Sequence, residues 1–238
     1  MYSPTSTTVP SGLKELDEAL KGGFVRPSNL MIAGAPFCGK KELALKMVNY
    51  GLETNEGAIY VSTSQTAEET RLHWLNYGLK PLWEENGQVQ FVDCYSKMLG
   101  VQCSDTPSIR RIPSLLDFTK LNVTIAQLCS DFILKKMPTR MILDSISSLL
   151  IYSSLQTVMR FLHIFTGKLR KQNVLSFFLI EEGTHDENTF NLLKTFSNGI
   201  IKMSSNPRII QFEGFVKSNN PSFFYELTEK DIILKKQD

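Results

Sequence analysis

The stretch MIAGAPFCGKKELALKM, residues 31 to 47, constrains the fold more than any other part of the chain. It places a short apolar run before a glycine-bearing turn, and the turn before an amphipathic helix pattern. Gly34, Gly39 and Lys40 stand where the phosphate-binding pattern G-x-x-x-x-G-K-[S/T] requires them. The last position of that pattern supplies a hydroxyl to Mg²⁺, and this chain has Lys41 there. The segment predicts a strand, a phosphate loop and a helix without the usual metal ligand.

A second segment supports a nucleotide site. RMILDS, residues 140 to 145, is an apolar strand ending in Asp144, which is how a metal-directed carboxylate is presented beside a phosphate loop. The structural alternative is that Asp144 caps a helix. Both segments together favour an ancestral nucleotide site, to which we assign no catalytic residue and no metal ligand. The candidate nucleotide-binding residues are Gly34, Ala35, Pro36, Phe37, Cys38, Gly39, Lys40, Lys41 and Asp144.

Short apolar runs alternate with helical patterns along the chain, which is typical of a mostly parallel sheet covered by helices. Apolar runs near the C-terminus predict short strands in hairpins, so one edge of the sheet should be antiparallel. Residues 1–10 are expected to form a flexible tail, and residues 11–238 a single domain. Segment 96–113 has no sustained period and is expected to be an irregular loop. The predicted strands are residues 30–33, 58–62, 89–92, 140–144, 174–180, 199–203, 208–212, 223–227 and 231–234.

Composition excludes several classes of protein. The 238 residues carry a net charge of +2, too little to favour nucleic acid as a partner. The four cysteines form no C-x-x-C pair, and neither a signal peptide nor an apolar run of membrane-spanning length is present. We therefore expect a cytoplasmic protein with no membrane contact.

The chain resembles a family in several ordered motifs. SGLKELDEALKGG, residues 11–23, is similar to the opening block of KaiC-like domains of the archaeal type, in the RecA-like P-loop ATPase superfamily. ILDSISSLL, residues 142–150, resembles the segment around that family's acid-ending strand. The resemblance covers nearly the whole chain. It implies a RecA-like α/β fold with a mostly parallel twisted sheet, helices on both faces and a C-terminal antiparallel edge.

The chain departs from the family pattern at positions that the resemblance assigns to ATP hydrolysis. Where the resemblance implies a pair of water-polarising glutamates, the chain has Ser64 and Gln65, which lack the basicity of a general base. Where it implies basic residues that reach a neighbouring subunit's nucleotide, only Lys217 remains. Either Glu181 or Glu182 is a candidate replacement base, or both are charged strand ends. These changes indicate a degenerate ATPase site.

An ammonium group at the Mg²⁺ position repels the metal. We therefore predict an ion pair between Lys41 and Asp144, and either weak, Mg²⁺-independent binding of ATP or ADP or no nucleotide binding. The expected function is that of a regulatory or scaffold subunit, with a protein partner or a homo-oligomer such as the hexamers of the family. Three alternatives stay open: an active ATPase completed by a partner subunit, a DNA mediator like the RadA paralogues, and a motor accessory subunit like FlaH.

Overall fold

The computed structural model describes residues 7–215 and 220–236, and strands alternate with helices through most of this length. The strands are β1 (Thr7–Val9), β2 (Phe24–Arg26), β3 (Ser28–Gly34), β4 (Gly57–Ser62), β5 (Val89–Asp93), β6 (Ile109–Arg111), β7 (Thr139–Asp144), β8 (Leu175–Glu181), β9 (Gly199–Ser205), β10 (Arg208–Glu213), β11 (Ser222–Leu227) and β12 (Ile232–Lys236). The helices are α1 (Lys14–Ala19), α2 (Lys40–Glu53), α3 (Ala67–Asn76), α4 (Pro81–Glu85), α5 (Phe118–Leu134), α6 (Ile146–Tyr152), α7 (Leu155–Lys171) and α8 (Glu187–Lys194). None of these helices is long and apolar enough to cross a membrane.

Ten of the described strands form one sheet, in the order β12-β11-β10-β9-β3-β8-β7-β4-β5-β6. The strands from β9 to β6 in this order pair in parallel, and β9 to β12 pair in antiparallel hairpins. This confirms the predicted α/β class, with its mostly parallel sheet and antiparallel C-terminal edge. The carboxyl ends of β3, β8, β7 and β4 therefore meet at one edge of the sheet.

Helices cover both faces of the sheet, which explains why residues 30–33 of β3 are all apolar. Leu30 and Ile32 belong to one buried cluster, which also contains apolar residues of α1, α2 and α3. Met31 and Ala33 face the opposite cluster, formed with α5, α6 and α7. A strand buried on both faces has no polar alternation, as expected in a parallel sheet.

Three local predictions differ from the structure. Residues 7–9 of the predicted tail form β1, which pairs antiparallel with β2, while residues 1–6 lie outside the described part of the chain. The predicted irregular segment 96–113 contains a 3₁₀ turn at Ser96–Leu99 and the strand β6. Short helices such as α6 and α8 were not predicted, because they have only 7 and 8 residues, too few to show a helical period in the sequence.

A buried charged cluster holds the amino-terminal segment to the sheet. Arg140 on β7 donates through Nε and Nη2 to the two carboxylate oxygens of Glu56, each at 3.0 Å. Its Nη2 also donates to the Pro10 carbonyl at 2.8 Å, and its Nη1 to the Met47 carbonyl at 2.6 Å. Arg26 on β2 donates to the same Glu56 carboxylate. The cluster therefore links β2, α2, β7 and the residue after β1.

Candidate functional site

The predicted phosphate loop lies between β3 and α2, and its two glycines are required by the backbone. Gly39 has φ of 94° and comes directly before α2, a conformation that side chains disfavour. At Gly34 a Cβ atom would lie 2.4 Å from the Met203 carbonyl oxygen of β9. Both positions of the motif therefore have a structural reason to be glycine, in addition to any role in binding phosphate.

The residues between the two glycines divide into an exposed part and an anchored part. Ala35, Pro36 and Phe37 lie at or near the surface, and the Phe37 side chain is 98% exposed. Cys38 is buried, and burial raises the pKa of its thiol. The Tyr225 hydroxyl of β11 donates to the Cys38 carbonyl at 2.6 Å and thereby fixes the loop. Sequence reasoning missed this contact, because Tyr225 is distant along the chain and carries no motif.

Lys40 is turned back onto its own loop. Its Nζ donates to the carbonyls of Gly34 at 2.9 Å and Ala35 at 2.7 Å. It also forms an ion pair with the Glu181 carboxylate at 2.9 Å, and its side chain is only 6% exposed. Glu181 ends β8, next to β3, and its register partner is Gly34. The strand pairing therefore places this carboxylate beside the lysine.

Lys41 forms the contact predicted from the sequence. Its Nζ lies 2.9 Å from Asp144 Oδ2 and donates to Gln65 Oε1 at 2.8 Å. The Tyr60 hydroxyl donates to the same Asp144 oxygen at 2.7 Å. Burial, followed by the Asp144 charge, raises the pKa of Tyr60 well above its ordinary value. The predicted Lys41–Asp144 ion pair is confirmed, and Tyr60 is a second neighbour that was not predicted.

The end of β8 carries a further polar cluster, on the side of α6. Ser147 Oγ accepts the Glu181 backbone N–H at 2.9 Å and lies 2.9 Å from His185 Nε2. Burial lowers the pKa of His185, against the opposing charge of Asp186, so the imidazole is neutral at pH 7. His185 was expected to be a solvated loop residue, and it instead bridges to α6. Glu182 is exposed.

Side chains from the loop and from the ends of β7 and β8 line one cleft of about 670 Å³. This volume lies within the range of sites that bind small molecules. The candidate residues Gly39, Lys40, Lys41 and Asp144 line it, together with Ser64, Gln65 and Glu181. Lys217 is one of residues 216–219, which lie outside the described part of the chain.

Mg²⁺, which phosphate loops ordinarily use, does not fit these residues. The position of the ligating hydroxyl is occupied by an ammonium, and the Asp144 carboxylate is already paired with it. Within residues 7–215 and 220–236, no group of three or more His, Cys, Asp or Glu side chains is arranged to hold a metal. A phosphate group fits better, because the N–H groups in the first turn of a helix have no partner within the helix and the Lys41 ammonium lines the same cleft.

Comparison with known proteins identifies the family of this chain. The family model described as ATPase: KaiC matches residues 9–210, most of the chain. The chain belongs to the KaiC family. Domains of this family bind ATP and commonly form oligomers. The loop pattern of Gly34, Gly39 and Lys40 is the one expected of a family that binds ATP.

Curated relatives match this KaiC-family chain in part. It is 23% identical over 175 residues to the circadian clock oscillator protein KaiC of Prochlorococcus marinus strain MIT 9313, covering 73% of this chain and 31% of that protein. It is 38% identical over 63 residues to the DNA repair protein RadA of Mycolicibacterium smegmatis, covering 26% of this chain and 14% of that protein. The chain therefore corresponds to less than a third of either relative.

Two solved structures share the fold over nearly their whole length. A KaiC-like protein of Pyrococcus horikoshii OT3 superposes with a TM-score of 0.73 at 15% identity, covering 96% of this chain and 99% of that one. An uncharacterized protein of Pyrococcus horikoshii, solved with an unknown peptide, gives a TM-score of 0.76 at 15% identity, with 97% and 100% coverage. At this identity the likeness concerns the fold alone.

Proposed function

We propose that this chain is a degenerate KaiC-like protein of the archaeal type. Its loop holds the phosphates of ATP or ADP weakly and without Mg²⁺, and hydrolyses ATP little or not at all. It acts as a regulatory or scaffold subunit, through contacts with a protein partner or with further copies of itself. The observation that carries the proposal is the 2.9 Å ion pair between Lys41 Nζ and Asp144 Oδ2.

The ion pair supports the proposal through charge. Mg²⁺ bridging two phosphates neutralises the charge that develops during phosphoryl transfer. Here an ammonium occupies the neighbourhood of the metal, and two like charges in a partly desolvated cleft repel each other strongly. The Lys41 ammonium lies beside the loop, but it carries one charge where Mg²⁺ carries two and is itself paired with Asp144, so it replaces only part of the metal's effect.

Water activation is weakened as well. Ser64 and Gln65 line the cleft at the position of the family's glutamates, and the Gln65 amide oxygen is engaged by Lys41. The candidate replacement base Glu181 is engaged by Lys40. These contacts favour a binding protein over an ATPase completed by Glu181.

Exposed apolar side chains at the cleft support a role in protein contacts. Phe37 is 98% exposed and Ile151 is 75% exposed, and both line the cleft. A contiguous exposed apolar patch marks a surface that another protein covers, and these two side chains are candidates for one. Light scattering of the purified chain, with and without ADP, would measure whether copies of the chain associate there.

A phosphate-release assay tests the catalytic part of the proposal. The wild type with ATP and Mg²⁺ should release phosphate no faster than the buffer. The variant Lys41→Thr/Ser64→Glu/Gln65→Glu restores the metal ligand and the glutamates and should gain Mg²⁺-dependent release, while Lys46→Thr, on the same helix, should gain none. Mg²⁺-dependent turnover by the wild type would refute the proposal.

A second candidate function is that of a DNA mediator, favoured by the 38% identity to RadA over 63 residues. Binding to DNA would depend steeply on salt, because phosphate contacts release counterions. A gel shift with single- and double-stranded DNA at two salt concentrations measures this. We expect no shift at physiological salt, given the net charge of +2.

A further inference from the structure

The two lysines of the loop differ in how their protons are used. A lysine ammonium has three N–H donors and no acceptor. Lys40 Nζ lies within 2.9 Å of three acceptors, which are the carbonyl oxygens of Gly34 and Ala35 and the carboxylate of Glu181. All three donors of Lys40 are therefore satisfied within the protein, in a buried position where breaking a hydrogen bond is costly.

Lys41 is placed differently. Among the described residues its Nζ donates to Gln65 Oε1 at 2.8 Å and forms an ion pair with Asp144 Oδ2 at 2.9 Å. Its side chain is 21% exposed and lines the cleft. The third N–H of Lys41 is therefore available to a ligand without loss of either existing contact.

From this difference we infer that Lys41, and not Lys40, is the ammonium that contacts a phosphoryl oxygen of a metal-free nucleotide, while Glu181 acts as a latch that keeps Lys40 out of the site. The inference rests on the proposed function and assigns the ligand contact within it. It reverses the roles that the loop pattern implies, in which the lysine at position 40 reaches the phosphates.

The ion pair of Glu181 with Lys40 also explains why the proposed binding of nucleotide is weak. Each lysine is neutralised by one carboxylate, Lys40 by Glu181 and Lys41 by Asp144. An incoming phosphate can recruit Lys40 only by displacing Glu181, and must then bear the repulsion of the released carboxylate. Removing the Glu181 charge therefore frees a second cation for the ligand and should tighten binding.

Calorimetric titration with ADP in EDTA at fixed salt tests the inference. Two paired variants each remove one lysine with its carboxylate and leave the net charge unchanged. Lys41→Met/Asp144→Asn should weaken binding at least about tenfold, as expected for one charged hydrogen bond. Lys40→Met/Glu181→Gln should stay within about threefold of the wild type, because the lysine it removes makes no ligand contact. Glu181→Gln alone should tighten binding about tenfold, while the exposed neighbour Glu182→Gln should change it less than about twofold.

The outcomes separate this inference from the proposed function. If Lys40→Met/Glu181→Gln abolishes binding, or Glu181→Gln leaves the affinity unchanged, the latch is refuted while metal-free binding stands. If the wild type gives no heat and Glu181→Gln binds ADP, nucleotide binding by the wild type is refuted and the latch stands. If neither binds, both are refuted. Thermal unfolding will show whether each double variant folds. Glu181→Gln preserves side-chain shape, so its affinity for ADP tests the latch even where a double variant does not fold.

Discussion

The buried cluster of Arg26, Glu56 and Arg140 predicts a large effect on stability. Glu56→Gln removes the charge that faces two guanidinium groups, whose side chains are 3% and 1% exposed. Breaking a buried ion pair by removing one partner leaves an uncompensated charge and costs about 3–5 kcal/mol. We expect the free energy of unfolding at pH 7 to fall by about this amount.

Urea denaturation followed by circular dichroism measures the change, and the slope of the transition should stay constant. For a chain of this size, the same loss lowers the melting temperature by roughly 6–20 °C. Glu53→Gln is the matched control, because Glu53 pairs with Lys80 at the surface, where both side chains are more than half exposed. It should change stability by less than about 1 kcal/mol. A Glu56→Gln effect as small as that of the control would show that the buried cluster does not stabilise the fold.

The cluster also predicts a dependence on pH. Burial alone would raise the pKa of Glu56, but the hydrogen bond and charge of Arg140, with those of Arg26, hold it below the ordinary value of 4.5. A carboxyl group whose pKa is lower in the folded state contributes stability above its unfolded pKa and loses it as the pH falls through the folded pKa. The wild type should therefore lose stability below about pH 4.5, and Glu56→Gln should lose less over the same interval.

Three further predictions concern the loop glycine Gly34, the hydroxyl of Tyr60 and the reactivity of the cysteines. Gly34→Ala should destabilise the fold by about 1–3 kcal/mol in urea denaturation, because its Cβ would lie 2.4 Å from a backbone carbonyl oxygen; an unchanged midpoint would contradict this. Tyr60→Phe should cost about 1–3 kcal/mol, since it removes a hydrogen bond to the Asp144 carboxylate, and equal stability would show that this bond contributes nothing. Cys103 should react with a thiol reagent in the native protein, while the other three cysteines, which are buried, should react only after unfolding. Burial raises the pKa of Cys129 to about 12, so rapid native labelling there would refute its placement.

Much of the site was predictable because its residues lie at strand ends. The loop pattern gives Gly34, Gly39 and Lys40 directly, and parallel strands bring their carboxyl ends to one edge of the sheet. The ion pair between Lys41 and Asp144 follows from these two facts together with opposite charge. Nine of the ten described strands of the large sheet are short apolar runs and were predicted within two residues of their observed bounds, whereas β6 lies in the segment predicted to be irregular.

Contacts that depend on strand order were not predictable. Glu181 reaches Lys40 only because β8 lies next to β3 in the sheet, and sequence spacing does not give that order. Tyr225 reaches the loop from β11 through a hydroxyl that no motif marks. The buried cluster around Glu56 was likewise missed, since a charged residue before a strand ordinarily indicates a solvated turn.

If Lys41 replaces Mg²⁺ in a loop that still binds phosphate, a titration of ATP with and without Mg²⁺ will show it. For the wild type we expect weak binding in EDTA that Mg²⁺ does not tighten, because the ammonium repels a metal carried by the nucleotide. For Lys41→Thr we expect Mg²⁺ to tighten binding at least about tenfold, since the hydroxyl ligand is restored. Binding by the wild type that requires Mg²⁺ would show that Lys41 does not take the place of the metal.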